Sequence, residues 1–342
     1  MADQEPLVRS EPLEQFLADR LGAAPIRIER HRAGHSNETF FVDYGRRRYV
    51  LRRPPRGAFL PSAHDVTREY RILAALQETP VRVPRTILLC DDESVIGAPF
   101  YLMERVEGCV IRDGLPRNLT APEDRKAIGS EIVDALAELH TLDHGSLPLE
   151  GFGHPSAYLE RQLKRWRGQM ELTLPFTRPV PDLERVGGWL EANLPKSPPA
   201  TLVHGDYKLD NVMFAPDAPA RLVSILDWEM STIGDPVADL GWLLSFWREP
   251  DDLDEPDIAG APSVTVLPGF ARRAELVARY QDRTGTDVRA LDWYVVLAVW
   301  KLAILLEGSY ARHLAGMTDD PFFAAMEGVV PALARRAGEL AV

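Results

Sequence analysis

Apolar residues Leu13, Phe16 and Leu17 recur at helical spacing after a cap-like Ser10, with Pro12 in the first turn, and Gly22 stops that helix. The pattern then shortens to β-like runs at Ile26–Glu29, Thr39–Tyr44 and Arg48–Arg52, the last two joined through Gly45 as a hairpin. Val66, Tyr70, Leu73 and Leu76 predict a helix over 62–77. Glu69 falls on or beside its apolar face, where a carboxylate is costly without a partner. Arg85–Cys90 and Phe100–Glu104 read as two more strands. Beyond Gly108, Ile128, Ile132, Leu136 and Leu139 mark a helix over Pro122–His140. Residues 145–200 are rich in Pro and Gly and hold one basic helix, Tyr158–Met170. Val212–Phe214 and Leu222–Leu226 read as strands around the turn at 215–219, and helical patterns dominate from Val237 onward. The pattern is α+β: a sheet-and-helix lobe over 1–103, then a mostly helical lobe over 104–342, with a hinge near 104–107.

Composition narrows the function classes. The chain has 342 residues, 45% hydrophobic and 26% charged, with a formal net charge of −12. That balance fits a globular protein and argues against nucleic acid or an anionic membrane as partner. The N-terminal stretch is acidic without an apolar core, unlike a signal peptide. The longest apolar run, Trp293–Trp300, ends at Lys301 and is too short to span a bilayer. Cys90 and Cys109 form no CxxC pair, as expected of buried thiols in a reducing compartment, so a cytoplasmic location is expected. A P-loop, a dinucleotide fingerprint, G-x-S-x-G and HExxH are all missing. No repeat is visible, and nothing fixes an oligomeric state.

The chemistry concentrates in Leu202-Val-His204-Gly205-Asp206-Tyr207-Lys208-Leu209-Asp210-Asn211, with Asp227-Trp228 after the next turn. Asp206 and Asn211 share a short loop after a buried strand, and hairpin closure should bring Asp227 beside them. Two carboxylates and an amide are the hard oxygen donors that suit Mg²⁺ with phosphate and water. A carboxylate nearby can also accept a hydroxyl proton.

His-x-Asp-x4-Asn followed by a hairpin and Asp resembles the catalytic loop and metal-binding Asp of protein kinases. Gly205 after the histidine, and the tail Asp227-Trp-Glu-x4-Gly234-Asp-Pro-x-x-Asp239-Leu, resemble the aminoglycoside phosphotransferase and choline-kinase branch. Arg52-Arg-Pro-Pro, Ser62-Ala-His and Arg68-Glu-Tyr70 are similar, more narrowly, to the phosphotransferase-like domain associated with acyl-CoA dehydrogenases. The resemblance covers roughly 25–310. It implies a protein-kinase-like two-lobed fold, ATP (or GTP) and Mg²⁺ as cofactors, and a small-molecule acceptor.

By that resemblance Asp206 is the catalytic base, Lys208 neutralises the transferred phosphoryl group, and Asn211 and Asp227 hold Mg²⁺. Arg52 stands where kinases carry a phosphate-binding lysine, and Glu69 is its helix partner. Arg can fork onto phosphate oxygens or onto Glu69, but it is not interchangeable with Lys. The other reading is that Arg52 and Arg53 form a solvated strand end. The phosphate loop, Arg32–Thr39, has one glycine, so Ser36 and Asn37 are its candidate contacts. The resemblance sets adenine against the backbone of Glu104 and Val106, where a plain linker is equally compatible. Asp239 reads as a brace for the catalytic loop. His140 and His144, four apart, read as helix capping or packing.

For the acceptor, the acidic run 249–257 favours a polyamine-like sugar. The basic helix Arg161, Lys164, Arg165 and Arg167 favours a carboxylate or CoA phosphates. The narrower resemblance points to a hydroxyl on a small metabolite of hydroxy-acyl type. An aminoglycoside O-phosphotransferase, or a catalytically silent nucleotide-binding regulator, are the alternatives.

Overall fold

The computed structural model describes residues 6–31, 37–56, 65–252, 263–317 and 321–341. Ser36, 62–64 and 253–257 of the acidic run lie outside the described residues. The chain divides into two compact units. One runs to Glu107 and takes in Gly145–Leu149 and Val223–Met230; the other holds the remainder. The units are thus not contiguous halves of the chain, which a break at 103/104 does not provide for.

The first unit is built on a five-stranded antiparallel sheet: β1 (Ile26–His31), β2 (Glu38–Tyr44), β3 (Arg47–Arg53), β4 (Thr86–Cys90) and β5 (Phe100–Glu104), in the order β1-β2-β3-β5-β4. Helix α1 (Ser10–Leu21) covers one face. Ser10 is its first residue rather than its cap, which is Arg9. Leu13 and Leu17 join Phe40, Val42, Tyr49, Leu51, Phe100 and Leu102 in one core, extended by the short α3 (Glu93–Ile96). The residues between these, Val50, Arg52, Tyr101 and Met103, turn to the opposite face. There α2 (Val66–Leu76) packs against β4 and β5, burying Ile72, Leu73 and Leu76. Asp65 caps α2 by accepting from the N–H groups of Thr67 and Arg68, so the helix starts a few residues later than its apolar period suggests.

The second unit is mostly helical. Strand β6 (Cys109–Val110) pairs with β8 (Val212–Phe214), and β7 (Thr201–Val203) pairs with β10 (Thr232–Gly234). The turn after β8 closes through Ala215 N–H to Arg221 O, and β9 (Leu222–Ile225), which follows, belongs from Val223 on to the first unit. Helices α4 (Pro122–His140), α5 (Tyr158–Thr173), α6 (Pro181–Ala192), α7 (Pro236–Phe246), α8 (Arg273–Thr284), α9 (Leu291–Leu314) and α10 (Pro321–Leu340) make the bulk. Region 145–200 therefore holds two helices, not one. Pro181 at the start of α6 signals it, while Gly187-Gly188 in its middle dilutes the helical pattern.

Helix α9 is the axis of this unit, packed on by α5, α6, α7 and α10. It is long and apolar enough to cross a membrane by length and composition, yet 78% of its most apolar window is buried. That burial is why most of its sequence lacks a polar face. Gly241 of α7 lets the two helices touch: a Cβ there would sit 2.9 Å from the backbone of Tyr294.

Candidate active site

In the first unit the period-two geometry of β3 sends its two final arginines to opposite faces. Arg53 is buried on the α1 side, with Nη1 donating to the carbonyls of Leu7 and Ile96. Arg52 points to the α2 side with its side chain 13% exposed. Its Nη2 lies 3.4 Å from Glu69 Oε1 and 3.2 Å from Asp227 Oδ1, and Nη1 donates to Thr39 Oγ1 at 3.3 Å. The solvated-strand-end reading is overturned for both residues. Glu69, 2% exposed, finds in Arg52 the partner its place on an apolar face requires.

Burial pushes the Glu69 carboxyl above the usual range, against the pull of Arg52. Burial alone would weaken the hold of Arg52 on its proton, but Glu69 and then Asp227 outweigh it and raise its pKa. Asp227 has φ of 62°, a left-handed conformation that Asp tolerates better than most residues. Its Oδ2 is left over from the Arg52 contact. Asn37 is 7% exposed, and neither polar atom of its amide has a partner among the described residues. A buried orphan amide calls for a polar ligand. The Glu104 N–H donates to Arg85 O at 2.7 Å, so this part of the hinge is tied into the sheet; Val106 is half-buried just beyond it.

In the second unit, loop 204–211 is held from several directions. Gly205 has φ of 84°, which glycine adopts without cost. Asp239 of α7 accepts from His204 N–H at 2.6 Å and Gly205 N–H at 2.8 Å. Lys301 of α9 donates to Gly205 O at 2.9 Å. The Tyr207 hydroxyl donates to Ile132 O at 2.7 Å. Both oxygens of the Asp206 carboxylate are fixed: Trp242 Nε1–H donates to Oδ1 and Asn211 Nδ2–H to Oδ2, each at 2.7 Å. Asn211 also donates to Asp206 O at 2.8 Å, leaving its Oδ1 free to coordinate. Lys208 Nζ is 3.8 Å from Asp206 Oδ1 and 5.0 Å from the centre of the Phe246 ring.

His140 is no cap. It is 5% exposed, with Nε2–H toward Asp239 Oδ2 at 3.2 Å and Nδ1 paired with the Tyr280 hydroxyl at 2.7 Å. Since a carboxylate only accepts, the proton sits on Nε2. Burial would raise the Asp239 pKa, but His140 and the loop N–H groups hold it below the usual carboxylate range. The basic helix α5 spends its charge outward: Arg161 on His154 O, Arg167 on Glu191, and Arg165 over Trp166.

Asn211 in the second unit and Asp227 in the first each keep one oxygen outside these hydrogen bonds, a hard donor of the kind Mg²⁺ takes. Each unit gathers its own cluster: Arg52, Glu69 and Asp227 in the first, Asp206, Lys208 and Asn211 in the second. Sequence reasoning missed Trp242 and Lys301, although a lone lysine inside an apolar helix is a visible signal.

A sheet-and-helix unit with a buried Arg–Glu pair, and a helical unit with a braced His-x-Asp-x4-Asn loop, define a protein-kinase-like phosphotransferase. The chain belongs to the phosphotransferase enzyme family, whose model matches residues 27–294. It is 37% identical over 308 residues to acyl-CoA dehydrogenase family member 11 of Rattus norvegicus, covering 88% of this chain and 39% of that protein. A protein of Arabidopsis thaliana named probable acyl-CoA dehydrogenase IBR3 is 35% identical, with 90% and 39% covered. The chain thus spans about two fifths of the length of these relatives. A crystal structure from Ralstonia eutropha, provisionally named an aminoglycoside phosphotransferase, superposes with a TM-score of 0.82 at 31% identity, covering 97% of this chain and 98% of that one. Aminoglycoside phosphotransferase APH(4)-Ia, solved with AMP-PNP and hygromycin B, shares the fold at a TM-score of 0.60 and 16% identity, over 95% and 98% of the chains.

Proposed function

We propose that this phosphotransferase moves the γ-phosphate of ATP to a hydroxyl of a small metabolite of hydroxy-acyl type. The observation that carries the reading is the Asp206 carboxylate, half-open and oriented through both oxygens on a loop pinned by Asp239 and Lys301. A base held this way accepts the proton of an acceptor hydroxyl without reorganising. Lys208, beside Asp206, lowers the energy of charge gathering on the transferred group. Asn211 and Asp227 would hold Mg²⁺, which supplies neutralisation of the phosphate charge. Arg52, kept charged by Glu69, offers a fixed cation to the nucleotide phosphates, and the Asn37 amide a polar contact. Phosphoryl transfer asks for little covalent help beyond this positioning. The hydroxy-acyl class is supported by the likeness to acyl-CoA dehydrogenase family proteins.

Calorimetric titration of ATP with and without Mg²⁺ tests the reading. We expect Mg²⁺-dependent binding that survives Asp206→Asn and is lost in Asp227→Ala, followed by acceptor-dependent ADP release. Failure of ATP to bind under either condition would sink it.

A further inference from the structure

We propose that the cavity behind loop 204–206 receives a carboxylate of the acceptor on the Lys301 ammonium. The proposal rests on reading that loop as the site of transfer. The cavity lies within the second unit, has a volume of about 20 Å³, and is lined by Gln162, Trp166, Gly205, Asp239, Trp242 and Lys301 among others. Such a space admits one atom group of water size, such as a single carboxylate oxygen entering from its open side, and no sugar ring.

Four observations favour an anion there. Lys301 makes no ion pair among the described residues; its bond is to the neutral Gly205 carbonyl at 2.9 Å, which uses one of three donors. Its ammonium stands 4.0 Å from the centre of the Trp242 ring and 5.6 Å from that of Trp166, aromatic faces that shield it from water. The other acid lining the cavity, Asp239, already accepts from two loop N–H groups and faces His140. Burial brings the Lys301 pKa down to about 8 even though Asp206 and Asp239 pull it up, with Arg165 and Lys208 as smaller opposing charges, so the ammonium lacks full compensation.

The indole of Trp242 links this cation to the chemistry. Its face meets Lys301 while its Nε1–H holds the Asp206 base at 2.7 Å. An acceptor with its carboxylate on Lys301 would then present a hydroxyl a few bonds away to Asp206. The same ammonium repels a cationic acceptor such as an aminoglycoside. Lys301 is thus a specificity residue as well as a brace for the loop.

The test uses three hydroxyl compounds of matched skeleton: 3-hydroxybutyrate, 1,3-butanediol and 4-amino-2-butanol. Their binding to the full chain without nucleotide is followed by saturation-transfer NMR. We expect the carboxylate to bind at least about tenfold tighter than the diol or amine. Lys301→Met should erase the difference, and Lys301→Arg should keep it. Equal binding of all three, no saturable binding of the carboxylate, or a preference that survives Lys301→Met would overturn the proposal. Because nucleotide is absent from this assay, a failed ATP titration would sink the kinase reading without deciding this one.

Discussion

The two units solve the same problem, keeping charge ready in a desolvated place, by different means. Around Arg52 the charges compensate one another: a cation between Glu69 and Asp227, each within 3.4 Å. Around Asp206 the hydrogen bonds to the carboxylate come from neutral donors, an indole and an amide, with the Lys208 ammonium standing off at 3.8 Å, and Lys301 is held by a carbonyl and two indoles. A compensated cluster is stable but expensive to break, because removing one member strands a buried charge. A charge held by neutral groups tolerates losing one of them, and keeps its electrostatic appetite for a ligand. The comparison assigns the first cluster to holding and the second to reacting.

The comparison is broken most directly at Asp206. Asp206→Asn retains a shape that Trp242 can still contact but cannot take a proton. Turnover should fall by about 10² to 10⁴, the usual range for losing a general base, while calorimetric ATP affinity stays within about twofold. Undiminished turnover would remove Asp206 from the base role and leave the second cluster without a reaction.

A smaller but still large effect is expected in the first unit, on stability. Glu69→Ala strips Arg52 of its more buried partner and should cost about 3–5 kcal/mol in urea denaturation. Trp242→Phe in the second unit removes one donor from Asp206, which remains part-exposed, and should cost only about 1 kcal/mol. Equal costs for the two variants would erase the contrast. Gly241→Val belongs to neither cluster but tests the α7–α9 contact beneath the second. Its side chain would overlap Tyr294, and a loss of about 1–3 kcal/mol is expected.

The two regions also differed in what could be read from the chain. Glu69 betrayed itself because a carboxylate on an apolar helix face needs a partner, and β3 spacing offered Arg52. Asp206, Asn211 and Asp227 were legible because their chemistry fixes both residue type and spacing. Trp242, His140 and Lys301 act through contacts 36, 99 and 96 residues away in sequence, which no local period encodes. Trp242 carried no local signal, and His140 read as capping or packing, since an imidazole at a helix end is usually one or the other. Lys301 read only as the end of an apolar run, although the burial of most of α9 makes a charge there costly. The same argument that exposed Glu69 would have exposed Lys301 had the helix been recognised as largely enclosed.

The finest test of the contrast is the pH dependence of that lysine. With Lys301 near 8 when folded and an ordinary lysine pKa of 10.5 when unfolded, the folded state disfavours its proton. Desolvation dominates; Arg165 and Lys208 add to it, and Asp206 and Asp239 oppose it. Below pH 8 both states are protonated and folding bears the full cost of the buried charge. Between 8 and 10.5 the unfolded state binds more protons, so stability rises with pH. Lys301→Met lacks this titration. Its stability advantage over the natural protein, from urea denaturation at pH 7 to 10, should therefore shrink above pH 8, by at most about 1.4 kcal/mol per unit. Over the same interval the carboxylate probe should lose its preference as the ammonium discharges. A preference that stays constant from pH 7 to 10 would mean that Lys301 only braces the loop, and that the second cluster, like the first, is built to hold.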